Sequence, residues 1–277
     1  MKDYLAHLVK QSSSALDGRN IAREYLQARI LGVLQKCGAM IPLACHGGTA
    51  LRFLYGHGRY SEGLDFALEG QEKDYAFPYY LKAVHNELKA EGYQIEVKAN
   101  EKNIVNNALF RFPGLLHELG LSPMPSETLS IKIEVDTNPP KGAVCQTTVL
   151  RRFVVLQLQH HDKSSLMAGK LHAVLQRPYT KGRDLFDLLW YLSDPALPNP
   201  NFVLLNNELD QSHWQGEPMS EHNWKAQILS KLQTLDWKDI TRDVLPFIPG
   251  SFNLNLLQYD TFESLLTKQA HILCYIG

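Results

Sequence analysis

The chain has 277 residues, 44% of them hydrophobic, enough to bury a sizeable core in one large domain or two modest ones. Lys and Arg number 28 against 29 Asp and Glu, a formal net charge of -1, so a global basic field is excluded and any nucleic-acid contact must rest on a local patch. Cys37, Cys45, Cys145 and Cys274 show no CxxC pair or zinc spacing and read as reduced thiols, and no run of about 18 apolar residues or apolar leader occurs, so a cytoplasmic protein with no membrane partner is expected.

In chain order, Ile21, Tyr25, Leu26, Ile30, Leu31, Val33 and Leu34 recur at helical spacing and predict a helix over residues 20–37, stopped by Gly38. Residues 41–45 form a short apolar run ending in His46-Gly47-Gly48, and helix formers follow over 49–55 up to Gly56, giving strand, glycine turn and short helix. A second strand is expected over 64–68 and a helix over 76–91 with Pro78 in its first turn. Further strands are expected over 93–98, 107–112, 128–136 and 147–158, with Asn138-Pro139-Pro140-Lys141-Gly142 as a turn between neighbouring strands. After Asp162 the pattern turns helical, over 164–176, 183–192, 223–235 and about 261–273, with a Pro-containing connector over 194–200. The expected class is α/β: a small mixed β-sheet domain with flanking helices over residues 1–160, followed by a mainly helical region over 161–277.

Several groups carry chemistry. Gly47-Gly48-Thr49 sits where a strand becomes a helix, so bare backbone N–H groups and the positive helix end would face an anion. The next strand begins in Arg59-Tyr60-Ser61-Glu62-Gly63-Leu64-Asp65-Phe66, with carboxylates near its start. In Ile131-Lys132-Ile133-Glu134-Val135-Asp136, alternation sends Lys132, Glu134 and Asp136 to one face. Arg183 and Asp187 are four apart on a helix and either pair with each other or serve a site, while Leu185, Leu188, Leu189 and Leu192 form its buried stripe. His160-His161-Asp162 reads either as a metal phosphohydrolase pair or as a polar turn with Asp162 near a helix N-terminus. His46 is placed to meet a phosphate or a base, or is structural. Lys102, Arg111, Lys132, Lys141, Arg151 and Arg152 make either a phosphate-tracking face or a solvated sheet face.

The stretch Gly47-Gly48-Thr49-Ala50-Leu51-Arg52-Phe53-Leu54-Tyr55-Gly56, followed by residues 59–66, resembles the first motif of the AbiEii-like nucleotidyltransferase toxins, members of the polymerase-beta-type superfamily. Residues 165–173, Arg177 and residues 181–192, which open Lys181-Gly182-Arg183-Asp184-Leu185-Phe186-Asp187, resemble that family's later motifs, so the resemblance spans about residues 40–195. It implies an active site on the rim of a small mixed sheet, Mg2+, and transfer of a nucleotide from a nucleoside triphosphate to RNA, such as a tRNA end, or to a protein hydroxyl. It also implies toxicity through the disabled acceptor, as in abortive infection, and a separately encoded antitoxin. Residue by residue, it assigns Gly47, Gly48, Thr49, Lys170 and Arg183 to the nucleotide, Asp65, Glu134 and Asp136 to the metal, and Asp65, Lys170 and Asp184 to catalysis. Lys170 would meet triphosphate oxygens as a point charge and Asp184 would act as base or orienter of the acceptor.

One position departs from the family pattern of two acids separated by one apolar residue: the first acid is replaced by Gly63. Asp65 alone remains, and Glu62, on the opposite parity, reaches the metal only if the backbone before Leu64 is irregular. Two functions of different class follow: a magnesium-dependent transferase, or a nucleotidyltransferase-fold protein that binds nucleotide or RNA without turnover. A hydrolase using His161 and Asp162 is a weaker third.

Overall fold

The computed structural model describes residues 2–267. The chain forms two compact units, one from residues up to Pro139 together with Cys145–His160, the other from Pro140–Val144 together with the chain from His161 onward.

The first unit contains α1 (Lys2–Lys10), α2 (Ala15–Lys36), β1 (Leu43–His46), α3 (Gly47–Tyr55), β2 (Gly63–Leu68), α4 (Phe77–Ala90), β3 (Glu96–Asn100), β4 (Val105–Phe112), α5 (Leu115–Glu118), β5 (Leu129–Asp136), β6 (Cys145–Arg152) and β7 (Val154–His161), the last ending at the unit boundary. The seven strands form one sheet in the order β3-β4-β5-β2-β1-β7-β6. It is mixed: β2 runs parallel to β5 and β1 to β7, while the β1/β2, β3/β4 and β4/β5 pairs are antiparallel. Alternation decides the faces. Leu129, Ile131, Ile133 and Val135 of β5 are buried with Ala108, Phe110 and Phe112 of β4 and with Leu64 and Phe66 of β2. Helices α2 and α4 add Leu26, Ile30, Leu34, Val84 and Leu88 to the same unit's core, each such side chain contributing about 1.5–3 kcal/mol through burial.

Helix α2 starts where Ser14 caps it, the Ser14 hydroxyl accepting from Asp17 N at 3.1 Å. Besides its apolar residues it buries a polar stripe, Asn20, Glu24 and Gln27, whose spacing of four and three places them on one face. The Glu24 carboxylate accepts from Arg52 Nε of α3 at 2.8 Å and from Arg152 Nε of β6 at 2.5 Å. Arg52 also donates to His57 O at 2.8 Å and lies 4.4 Å from the Tyr60 ring centroid. One buried carboxylate thus ties the longest helix to α3 and to β6.

Two sequence expectations are corrected. Residues 147–158 are not one strand: β6 and β7 are neighbours in the sheet, and the chain changes direction at Phe153, a non-glycine residue with φ 60°. The turn at 138–142 does not join sheet neighbours, because β5 and β6 are separated by β2, β1 and β7, and residues 140–144 belong to the second unit.

The second unit is helical among the described residues: α6 (Lys163–Gln176), α7 (Gly182–Leu192), α8 (Phe202–Gln211), α9 (Trp224–Leu232), α10 (Trp237–Val244) and α11 (Tyr259–Thr267). Asp162, Asn201 and Asp236 cap α6, α8 and α10 with their side chains. Leu166, Leu171, Leu185, Leu188, Leu205, Trp224 and Ile228 fill its core. The expected C-terminal end of the last helix, at residue 273, and Cys274 lie outside the described residues. No described helix is long and apolar enough to cross a membrane.

Replacing Glu24 with Ala removes the shared carboxylate from the largely buried Arg52 and the partly exposed Arg152, a change that costs about 1–3 kcal/mol. Urea denaturation of E24A is expected to show a lower midpoint with an unchanged slope; an unchanged midpoint would mean that the clamp contributes nothing.

Candidate active site

A row of polar residues lies on the sheet face opposite buried Leu64, Phe66, Ile133 and Val135. Strand pairing fixes the row: His46 is the Cα partner of Asp65 across β1 and β2, Asp65 of Glu134 across β2 and β5, and Glu134 of Asn107 across β5 and β4. Directly opposed residues share a face, so Asp65 and Glu134 point the same way at adjacent positions.

The glycine turn is built against this row. Gly47 has φ +72°, and a Cβ there would lie 2.6 Å from Asp65 Oδ2. A Cβ on Gly48 would lie 2.7 Å from Arg59 Nη2 and 3.1 Å from Ser61 Oγ. Glycine is favoured at Gly47 by backbone sign and by space, while at Gly48 a side chain would have to displace the ends of Arg59 and Ser61. Helix α3 begins here, and the His46 side chain makes no cap bond to its first turn. Thr49 is buried and its hydroxyl donates to Gly63 O at 2.5 Å, so what Thr49 can offer an anion is its backbone N–H. The guanidinium of buried Arg59 backs Gly48 near the positive end of α3, and it also donates to Tyr60 O at 2.9 Å.

The carboxylates differ in their surroundings. Glu134 Oε1 is 2.7 Å from Lys132 Nζ on the same strand face. Asp136 Oδ1 accepts from Asn138 N at 2.9 Å, stabilising the turn after β5. Asp65, Glu134 and Asp136 do not bring three ligating atoms within 4.8 Å of one another. Magnesium is commonly held by one or two carboxylates, with phosphate oxygens and waters completing the shell. The adjacent Asp65 and Glu134 fit that need, while Asp136 lies two residues further along the strand, roughly 6.6 Å away. Glu62 is exposed and precedes β2.

Gly63 is the Cα partner of Lys132, and a Cβ on it would lie 2.8 Å from the Lys132 carbonyl oxygen. Backbone, not a movable side-chain end, fills that space, so any side chain here requires the strands to shift. Buried Cys45, beside this row, has its thiol pushed well above the ordinary value by burial and then by the Asp65 charge.

In the second unit, Lys170 of α6 stands between Asp184 and Asp187 of α7, its Nζ 3.1 and 2.7 Å from their carboxylates. Arg177 Nη1 reaches the other Asp184 oxygen at 2.6 Å. Lys170, Asp184 and Asp187 are all buried, and the two cations balance the two anions. Arg183 lies 3.6 Å from Asp243 and 4.6 Å from the centre of the Phe247 ring. Asp162 accepts from Ser165 N at 2.8 Å as the α6 cap, the polar-turn alternative for His160-His161-Asp162, and His160 Nε2 in the first unit lies 2.9 Å from Thr148 Oγ1.

Sequence alone does not mark Arg59, Ser61 or Gln27 as site residues. Arg59 and Ser61 stand inside the motif at 59–66 and were open to notice there; Gln27 gave no signal, because one amide in a helix reads as a solvated position.

Three outcomes are expected. Gly47→Ala, strained in φ and in collision with Asp65, should lower stability by more than about 1 kcal/mol, read as a thermal midpoint shift; an unchanged midpoint would remove the close-approach argument. Gly63→Asp should destabilise by about 1–3 kcal/mol through overpacking and not raise activity; a stable, more active G63D would refute this. Burial, then Arg177, hold the His172 imidazole below its ordinary 6.5, so the unfolded chain binds that proton more readily. Its contribution to stability is full above about pH 6.5 and is lost as pH falls through and below that value; His172→Gln should flatten this part of the pH–stability profile.

A family model described as "Nucleotidyl transferase AbiEii toxin, Type IV TA system" matches residues 29–268. No curated protein sequence matches the chain. Among solved structures, JHP933 from Helicobacter pylori aligns with TM-score 0.53 at 17% identity over 89% of this chain and 90% of its own. A second H. pylori structure, provisionally named a nucleotidyltransferase, aligns with TM-score 0.53 at 17% identity over 88% of this chain and 91% of its own. At that identity the two structures speak for the fold alone. The family match, spanning both the glycine turn and the Lys170–Asp184 helix pair, carries the assignment: this chain belongs to the AbiEii nucleotidyltransferase toxin family of type IV toxin–antitoxin systems.

Proposed function

We propose that the chain transfers a nucleotide from a nucleoside triphosphate to an acceptor hydroxyl on RNA, such as a tRNA end, or on a protein, with Mg2+ held by Asp65 and Glu134. The observation that carries this reading is the register that sets Asp65 beside Glu134 with the Asp65 carboxylate against Gly47. In this reading the triphosphate lies over the N–H groups of Gly47, Gly48 and Thr49, where no side chain intervenes. The ion, when bound, supplies neutralisation of the charge that develops on the phosphoryl oxygens.

The acceptor oxygen forms a bond to the α-phosphorus, the bond from that phosphorus to the β-phosphate oxygen breaks, and pyrophosphate leaves with the electron pair. The match to the family's later motifs supports a role for Asp184 toward the acceptor hydroxyl and for Lys170 and Arg183 toward the nucleotide. Lys170 and Asp184 are 3.1 Å apart, so the two roles belong to one ion cluster. Glu134, 2.7 Å from Lys132 Nζ, would hold the ion together with Asp65, with Asp136 in support at the turn. Family membership supports an antitoxin partner, and the cytoplasm is the compartment in which triphosphates and RNA would meet the protein.

A second reading, binding without turnover, is favoured by Gly63, which leaves one carboxylate where the family pattern has two. The two are separated by incubating purified protein with Mg2+, each labelled triphosphate and total RNA or total protein. The transferase reading expects label in a macromolecular fraction and a loss of roughly 100-fold or more in Asp65→Ala. No labelling with any of the triphosphates would favour the binding reading.

A further inference from the structure

We propose that Gln27 is a positioning residue whose buried amide fixes the backbone that delivers Asp65 to the glycine turn; this rests on Asp65 holding the metal in the function proposed above. Gln27 lies in the middle of α2 and is 1% exposed, an unusual place for a primary amide. Its Nε2 lies 3.1 Å from Ser61 O and 3.3 Å from Gly63 O, the carbonyls on either side of Glu62. Gly63 O also accepts the Thr49 hydroxyl at 2.5 Å, so both of its lone pairs are engaged. On its other side Gly63 packs against the Lys132 carbonyl, at 2.8 Å from where a Cβ would be.

The start of β2 is therefore held from α2, α3 and β5 at one residue, two positions before Asp65. There is little slack at the far end, since Asp65 Oδ2 already occupies the space of a Gly47 Cβ. A displacement of the 61–63 segment moves Asp65 relative to both the glycine turn and Glu134. Partners that orient a metal ligand without touching the metal typically change affinity or activity by about 10–100-fold when removed.

The test uses the full chain and four variants: Gln27→Leu, which removes the donor; Gln27→Glu, which keeps the shape and replaces the donor with an acceptor; Asp65→Ala; and Val84→Ala, a control in the α4 core of the same unit. Isothermal titration measures Mg2+-dependent binding of the α,β-methylene analogues of ATP, CTP, GTP and UTP in turn, at a temperature where all variants are folded. Both Gln27 variants are expected to weaken Mg2+-dependent binding about tenfold, while V84A binds as the parent does despite an equal or larger fall in thermal midpoint. Gln27 variants that bind like V84A overturn the inference. If they do so while D65A loses binding, only the role of Gln27 falls; if D65A binds like the parent, or the parent binds none of the four, the proposed nucleotide site falls and this inference with it.

Discussion

The close approach of β2 to the turn between β1 and α3 governs the arrangement of the first unit. Asp65 Oδ2 sits where a side chain at Gly47 would begin, and Arg59 sits where one at Gly48 would begin. Two glycines let a carboxylate and a guanidinium come up against bare backbone at the start of a helix. The same constraint turns Gly47 into the left-handed region, starts α3 at that point, and brings its first N–H groups beside the strand row that carries Asp65 and Glu134. The elements around it hold this contact in register: Thr49 and Gln27 on the Gly63 carbonyl, and the Lys132 backbone against the Gly63 Cα.

Helix α2 is where stability and geometry meet. Its apolar residues supply hydrophobic burial, which is non-directional and would tolerate several helix positions over the sheet. Its polar stripe is directional. Glu24 bonded to Arg52 and Arg152, and Gln27 bonded to two carbonyls, specify where α3, β6 and the start of β2 must lie. Buried ion pairs are weak contributors to net stability but costly to break, which suits a framework that must choose one arrangement over close alternatives. The Lys170, Asp184, Asp187 and Arg177 cluster gives the second unit the same kind of specification between α6 and α7.

Local signals were legible and non-local ones were not. The glycine turn, the amphipathic helices and the alternation in β5 follow from spacing, and all three appear in the fold. The break at Phe153 was invisible, because a phenylalanine with φ 60° carries none of the Gly, Asn or Pro chemistry that announces a reversal. The pairing of Asp65 with Glu134 depends on strand order, which no window of sequence contains. Glu24 and Gln27 were hidden for another reason: polar residues at helical spacing read as a solvated face, and only the tertiary structure reveals that α2 is enclosed on that side too. Gly63, taken from sequence as a missing acid, proves also to be a packing position that fits no side chain without strand movement.

In the proposed function, one divalent ion would be held by Asp65 and Glu134 beside the glycine turn. Iron-directed cleavage tests it most directly, with Fe2+ in place of Mg2+ and ascorbate and peroxide generating hydroxyl radicals at the bound ion. The account predicts backbone cuts clustered near residues 46–48, 63–66 and 132–135, suppressed by excess Mg2+ and absent in Asp65→Ala. Cuts concentrated elsewhere, or the same pattern in D65A, would contradict it.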